Sequence, residues 1–185
     1  MYRKIFKPLL DFVISFILII VFLPIMFLVM CITIIDLGFP LYNLLREREG
    51  KNRKPYVMYK FRTKVIDSDG TTKSNTYTKI SKIIDKTRLN ELPQLFNVLL
   101  GQMSLVGPRP FIPGESDKFA GMIDEKRYLV KPGITGLAQI NGGRWITTKE
   151  KLRYDVEYYD NLSFKLDLKI ILITIKQILR CNVDK

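Results

Sequence analysis

Histidine is absent from the chain, which removes Ser–His and Cys–His catalytic pairs and histidine-ligated metals from consideration. Cysteine is nearly absent as well. Cys31 and Cys181 lie near opposite ends in different apolar contexts, without zinc or redox spacing, so both read as reduced thiols of a cytosol-facing protein. No internal repeat and no long low-complexity tract occurs. Acidic residues are scarce beside basic ones: 30 Lys and Arg face 18 Asp and Glu, giving a net charge of +12. That balance favours nucleic acid, acidic lipid or phosphorylated metabolites as partners, and charge alone does not choose among them. Nucleic acid is the class we expect to be excluded, because zinc spacing, a basic recognition helix and an aromatic RNA-binding signature are all missing. At 185 residues the chain is large enough for one domain and too small for two ordinary ones.

What the chain does have is a long apolar run. Twenty of the 27 residues at 9–35 are Leu, Ile, Val or Phe, and residues 12–35 carry no charge. At ~1.5 Å per residue a helix of this length reaches about 40 Å, enough to cross a bilayer. Those side chains favour the membrane interior by on the order of 6–12 kcal/mol, an upper bound because the ends count less. The run is too long for a cleaved signal peptide, and no small-residue cleavage site follows it. Arg3, Lys4 and Lys7 precede it, while Arg46, Arg48, Lys51, Arg53 and Lys54 follow. Positive charge on both flanks disfavours a simple crossing. Pro24, near the middle, frees the carbonyl of Ile20 and kinks the helix. We therefore expect residues 1–36 to form a membrane-embedded re-entrant helix hairpin broken at Pro24. A tilted spanning helix that tolerates the proline is the competing arrangement.

Residues 37–185 read as a small basic cytosolic domain. Residues 41–60 suggest a short helix or strand and a turn at Glu49-Gly50-Lys51-Asn52, followed by a strand at 56–61. Residues 67–78 are polar and loop-like, and 80–86 fit a short amphipathic helix. The next helix is expected to start near Asn90, with Leu92, Leu95, Phe96 and Leu99 on one face, Pro93 in its first turn and Gly101 as its stop. Two turn-rich loops, 106–114 and 131–144, flank a charged helix at 117–128. The last element, 166–180, sets Lys165, Lys169, Lys176 and Arg180 along one stripe. It reads either as an amphipathic helix in the headgroup layer or as a core helix with one solvated face. The expected class is α+β, predominantly helical: the re-entrant hairpin, a cytosolic domain with interfacial amphipathic helices, and a short β-ribbon.

Candidate chemistry concentrates at 87–110. A helix start near Asn90 would attract phosphate through its free N–H groups and dipole. Glu91 there suits a hard cation such as Mg²⁺ bridging phosphate oxygens. Arg88 and Arg109 offer bidentate contacts to phosphate, and Lys60 and Arg62 add further cations. The Gly/Pro segments Gly107-Pro108-Arg109-Pro110 and Lys131-Pro132-Gly133-Ile134-Thr135-Gly136 supply backbone amides for anion-binding concavities. Each item has a structural reading too. Asn90 is a good N-cap, Glu91 complements a helix dipole, and the loops are ordinary turns.

Taken in order along the chain, these pieces resemble the bacterial sugar transferases, monotopic phosphoglycosyl transferases that act on polyprenol phosphate. The resemblance rests on the basic start and apolar run with Pro24, on Arg46-Glu47-Arg48-Glu49-Gly50, and on Tyr59-Lys60-Phe61-Arg62-Thr63. It continues through Glu91-Leu92-Pro93-Gln94-Leu95, Ser104-Leu105-Val106-Gly107-Pro108-Arg109-Pro110, Lys131 to Gln139, and Asp155-Val156-Glu157-Tyr158-Tyr159. It implies a re-entrant membrane helix and an active site at the cytoplasmic face of the bacterial inner membrane. It also implies a two-step reaction in which an Asp attacks the β-phosphate of a UDP-sugar and releases UMP. Polyprenol (undecaprenyl) phosphate then takes the phosphosugar, starting capsule, exopolysaccharide or glycoconjugate assembly. By motif position Glu91 matches the assisting, Mg²⁺-associated Glu, and Lys60, Arg62, Arg88 and Arg109 match the phosphate-side cations. Arg144 matches a nucleotide or sugar contact.

Departures from the family pattern stand out. Asn90 occupies the slot of the nucleophilic Asp, and a neutral amide is a poor nucleophile. Leu23 precedes Pro24 where Ser is frequent, and Lys64 replaces a common Met. Three explanations fit Asn90: an engineered Asp→Asn trap, a naturally inactive member serving as scaffold or regulator, or another carboxylate in the role, with Asp85, Asp67 and Asp69 as candidates.

Overall fold

The computed structural model describes residues 1–41, 47–65 and 76–180. Arg46, Asp67, Asp69 and Cys181 fall outside them, as do parts of the expected elements at 41–60 and 67–78. A π-helical turn at Tyr2–Phe6 runs into α1, Lys7–Leu37, which stops at Gly38 in a positive-φ conformation (φ 67°) that glycine adopts without steric cost. Pro24 lies inside α1 and no loop interrupts the helix there, so the expected break between two helices does not take that form. Proline removes one bond of the ladder, and the turns on either side keep theirs.

The polarity of α1 is inverted relative to a soluble helix. Its buried stripe is Lys7, Asp11, Ser15, Ile19, Met26, Val29 and Thr33, at spacings of three, four or seven residues. Its outward residues include Leu9, Phe12, Phe16, Ile20, Val21, Phe27 and Leu28, all more than half exposed. The polar groups face the rest of the protein and the hydrocarbon faces out. Among the described residues it is the one helix long and apolar enough to cross a membrane.

The body begins with a hairpin, β1 (Glu47–Glu49) antiparallel to β2 (Pro55–Val57), with Glu47 opposite Val57. This is the expected β-ribbon, with a shorter second strand than the aromatic alternation suggests. The connecting turn places Asn52 and Arg53 at positive φ. Helix α2, Lys79–Lys86, opens with a Thr78–Ser81 capping box.

The expected helix from Asn90 is a 3₁₀ turn, Leu89–Glu91, followed by the six-residue α3, Gln94–Leu99. Two features shorten it: Arg88 sits at φ 59°, and Pro93 cannot donate into a preceding turn. A parallel pair the sequence did not announce joins β3 (Ser104–Val106) to β4 (Gly133–Thr135). Its neighbourhood needs glycine. A Cβ at Gly133 would lie 2.0 Å from the Gly107 nitrogen, and one at Gly107 would lie 2.3 Å from the Lys131 carbonyl oxygen.

The charged helix expected at 117–128 is two 3₁₀ segments, Ser116–Phe119 and Glu125–Leu129, with Gly121 between them. After the short α4 (Leu137–Ile140) comes α5, Thr148–Asp160. Sequence reading missed α5, although Thr147 and Glu150 form a capping box at the Thr-x-x-Glu spacing that marks a helix start. Helix α6, Phe164–Leu179, buries Asp167 and Ile170. It turns Phe164, Leu168, Leu172, Ile175 and Leu179 outward, with Lys165, Lys169 and Lys176 also exposed beside them. Its exposed surface is therefore mixed, apolar side chains beside lysines.

Three buried clusters hold these elements. Ile19, Met26 and Val29 of α1 pack with Phe61, Ile84 and Leu95. Val106, Val130, Tyr158 and Ile170 form a second cluster, and Tyr56, Val98 and Met103 a third. The first joins the membrane-type helix to the segments that carry the site.

Candidate active site

Residues 60–63 are clamped along the 89–91 turn. The Phe61 N–H donates to the Asn90 carbonyl at 2.9 Å, and Lys60 Nζ meets Glu91 Oε1 at 3.0 Å. Arg88 Nη1 reaches the same oxygen at 3.3 Å; its left-handed backbone turns it back over the 3₁₀ turn. The Glu91 side chain is 13% exposed, so this is a half-closed ion-pair cluster rather than a surface bridge. Burial opposes ionisation of Glu91, but Lys60, Arg109 and Arg88 together outweigh it and hold the carboxyl down at about 2.

Arg109 comes from the turn after β3 and is exposed, so the structure brings Lys60, Arg88, Glu91 and Arg109 to one place. Glu91 and Arg109 border a cleft of about 220 Å³ that is also lined by Arg48, Met58, Gln94, Glu115 and the Gly133-Ile134 region, and Lys60 and Arg88 join it through Glu91. The positive potential comes from side chains. The helix-dipole account does not hold, because a 3₁₀ turn and a six-residue helix align too few peptide units.

Arg109 is itself held by a buried pair. Arg127 donates to the Arg109 carbonyl at 2.9 Å and to Asp155 Oδ2 at 3.1 Å, and its guanidinium lies 4.0 Å over the Phe111 ring. Burial outweighs the pull of Arg127 and leaves the Asp155 carboxyl up at about 6. Glu49 of β1 accepts from the hydroxyls of Tyr128 (2.5 Å) and Ser116 (2.6 Å), fixing the same wall from the other side.

Arg62 is not brought to this cluster. It is 2% exposed and gives its guanidinium to the carbonyls of Leu37 and Gly38 (2.7 Å for the latter), closing the end of α1. Replacing Arg62 with Ala leaves those carbonyls without their donor. We expect about 1–3 kcal/mol lower stability in thermal unfolding and an unchanged affinity for anionic ligand. Arg144 is exposed on the 3₁₀ turn Gly143–Trp145 and lies within electrostatic reach of Tyr77, which adjoins Asp85.

Asn90 is fully buried. Its amide nitrogen donates to Asp85 Oδ1 at 2.9 Å, while its own Oδ1 finds no partner among the described residues. It does not cap a helix. Sequence reading also missed Arg48, Gln94 and Tyr56. Arg48 and Gln94 line the cleft, and the Tyr56 hydroxyl is buried, within reach of Arg48 and Arg109 but with no hydrogen-bond partner among the described residues. Their signals were the Glu-Arg-Glu alternation of β1 and the aromatic residue opposite it in β2.

For a divalent metal, the donors present are the ionised Glu91 and the orphaned Asn90 oxygen, both hard oxygen groups. No group of three Asp, Glu, Cys or His converges among the described residues. These two oxygens are the groups that would hold a hard cation here, with the charge neutralisation of bound phosphate as the chemistry it would supply.

The site thus joins an outward-facing apolar helix to a basic body in which one carboxylate pairs with Lys60 and Arg88 and feels the charge of Arg109. The chain belongs to the bacterial sugar transferase family, whose profile matches residues 2–181. The family resemblance carried by its ordered motifs is thereby borne out. It is 43% identical to an uncharacterized sugar transferase of Bacillus subtilis (strain 168), over 78% of this chain and 73% of that protein. It is 38% identical to the UDP-glucose:undecaprenyl-phosphate glucose-1-phosphate transferase of Klebsiella pneumoniae, over 94% of this chain and 40% of that one. With the galactosyl transferase of Streptococcus agalactiae it shares 38% identity, over 72% of this chain and 34% of that protein. The chain therefore spans well under half the length of the latter two.

Proposed function

We propose that this chain transfers a sugar-1-phosphate from a UDP-sugar to polyprenol phosphate, releasing UMP, at the cytoplasmic face of the bacterial inner membrane. The product would begin a surface glycan such as capsule or exopolysaccharide. The observation that carries this reading is the Lys60–Arg88–Glu91–Arg109 cluster, which meets the cleft through Glu91 and Arg109 and is built on segments that pack against α1. The three cations would bind and orient the diphosphate. Glu91 keeps them from repelling one another, and Mg²⁺, held by Glu91 and the Asn90 oxygen, would neutralise charge on the departing phosphate. The polyprenol chain would lie along the apolar surface of α1 and α6.

The test is UMP release across a panel of UDP-sugars with polyprenol phosphate and Mg²⁺, run beside an Asn90→Asp variant. We expect release with at least one sugar. Asn90 favours one rival, a non-catalytic scaffold. It predicts no UMP from any sugar and no rise in melting temperature with UDP-sugars.

Re-entrant topology is part of the proposal. A straight helix of 31 residues would be about 46 Å long, yet both ends of α1 bond to the same body. At its start Tyr2 and Lys7 reach Asp167 at 2.7 and 2.8 Å; at its end Asp36 accepts from Thr78 and the Leu37 carbonyl from Arg62. A body on one side of a bilayer holds both ends only if the helix returns to that side. Cysteines introduced at Lys4 and Phe39 should react with an impermeant maleimide from the same side of sealed vesicles. Reaction from opposite sides would exclude the hairpin.

A further inference from the structure

The two carboxylates beside Asn90 have opposite surroundings. Glu91 is pinned by Lys60, Arg88 and Arg109, and a carboxylate so neutralised is a poor nucleophile. Asp85, on the last turn of α2, is half-buried, and its hydrogen-bond donors among the described residues are neutral. The Asn90 amide lies 2.9 Å and the Thr63 hydroxyl 3.2 Å from its Oδ1, and the Tyr77 hydroxyl also bonds to it. These donors are neutral, and they orient the carboxylate. Residues 60–63 touch both carboxylates, Lys60 on Glu91 and Thr63 on Asp85, which places the two on either side of the Asn90 turn. Arg88 and Arg144 stand nearby, and both act on Tyr77. Asn90 adds a buried oxygen that has no hydrogen-bond partner among the described residues.

We propose that Asp85 is the nucleophilic carboxylate of this chain, held in place by the amide of Asn90. The proposal rests on the transferase reading above. An Asp85 carboxylate oxygen forms a bond to the β-phosphorus of the UDP-sugar. The bond from that phosphorus to the bridging oxygen breaks, and its electron pair leaves with UMP. The result is an acyl phosphate joining Asp85 to the sugar phosphate. An oxygen of polyprenol phosphate then attacks the same phosphorus, the Asp85–phosphorus bond breaks, and the free carboxylate returns. Neither step requires an external oxidant, reductant or net proton. Asn90 acts through Asp85 as a positioning residue: its N–H fixes the carboxylate rotamer, which a carboxylate at position 90 would repel instead.

The experiment uses the full chain with the UDP-sugar that supports UMP release, without acceptor, quenched in acid and read by intact mass and peptide mapping. We expect one added phosphosugar, removable by hydroxylamine, on the peptide carrying Asp85. We also expect Asp85→Asn to lose the adduct and to cut UMP release on the order of a thousandfold or more, as loss of a nucleophile does. The adduct map on the unaltered chain stands even if the variant folds poorly. An adduct on another residue, turnover without any adduct, or full activity in Asp85→Asn overturns the proposal and leaves the transferase reading intact. No UMP from any sugar in the unaltered chain overturns both.

Discussion

Replacing Glu91 with Gln should lower the maximal rate of UMP release on the order of 10²–10³-fold while lowering, not raising, the KM for the UDP-sugar. The direction of the second effect follows from charge. In the native cluster one carboxylate divides its attraction among Lys60, Arg88 and Arg109. Without it, three cations face an anionic ligand with no internal competitor, and ground-state binding tightens. What is lost is their arrangement and the oxygen donor for a metal, which matter most as charge builds on the leaving phosphate. A rise in KM with an unchanged maximal rate would show that Glu91 only shapes the binding site.

The same substitution carries a pH signature. The folded-state pKa of Glu91 is about 2, below its ordinary value of 4.5, so the cluster's stabilisation is fully present above 4.5 and is lost as pH falls toward 2. Acid unfolding of Glu91→Gln should be flatter across that window, and the pH–rate profile between 5 and 9 should keep its shape. Melting temperature followed from pH 2 to 6 for both forms checks the sign.

How far the sequence led depended on how local each signal was. The apolar run predicted α1, and the basic, apolar stripe of 166–180 predicted α6, because both patterns repeat at helical spacing within one segment. The Glu49-to-Asn52 turn marked the hairpin for the same reason. Parallel pairing of β3 with β4 was invisible: it joins residues about thirty positions apart, and its mark, glycine at 107 and 133, looks like any turn until the 2.0 Å approach is measured. At the site, Lys60, Arg88, Glu91 and Arg109 were legible as residue types near Gly/Pro turns, and the fold brings them together. Arg62 had the same appearance in sequence. Only the placement of the Leu37 and Gly38 carbonyls shows that it closes a helix. Asp85 was one of three carboxylates with nothing to rank them, until folding put it 2.9 Å from Asn90.

The largest stability change we expect comes from a pair that touches no ligand. Asp155→Asn leaves the Arg127 guanidinium, 4% exposed, without a counter-charge, at a cost of about 3–5 kcal/mol. For a chain of this size that is on the order of 10 °C in melting temperature. Replacing both members with apolar residues, Arg127→Met with Asp155→Leu, should restore most of the loss, since neither charge then remains to be desolvated. Activity should not return with it. Arg127 also holds the Arg109 carbonyl at 2.9 Å and stacks on Phe111, and Met does neither, so Arg109 would reach the cleft from a looser turn. The double variant should therefore melt near the native temperature while releasing UMP on the order of tenfold more slowly, with the deficit in KM if Arg109 chiefly binds the diphosphate and in the maximal rate if it acts on the departing phosphate. Full recovery of both stability and rate would mean that the Arg127–Asp155 pair supports the fold alone and that Arg109 finds its position without it.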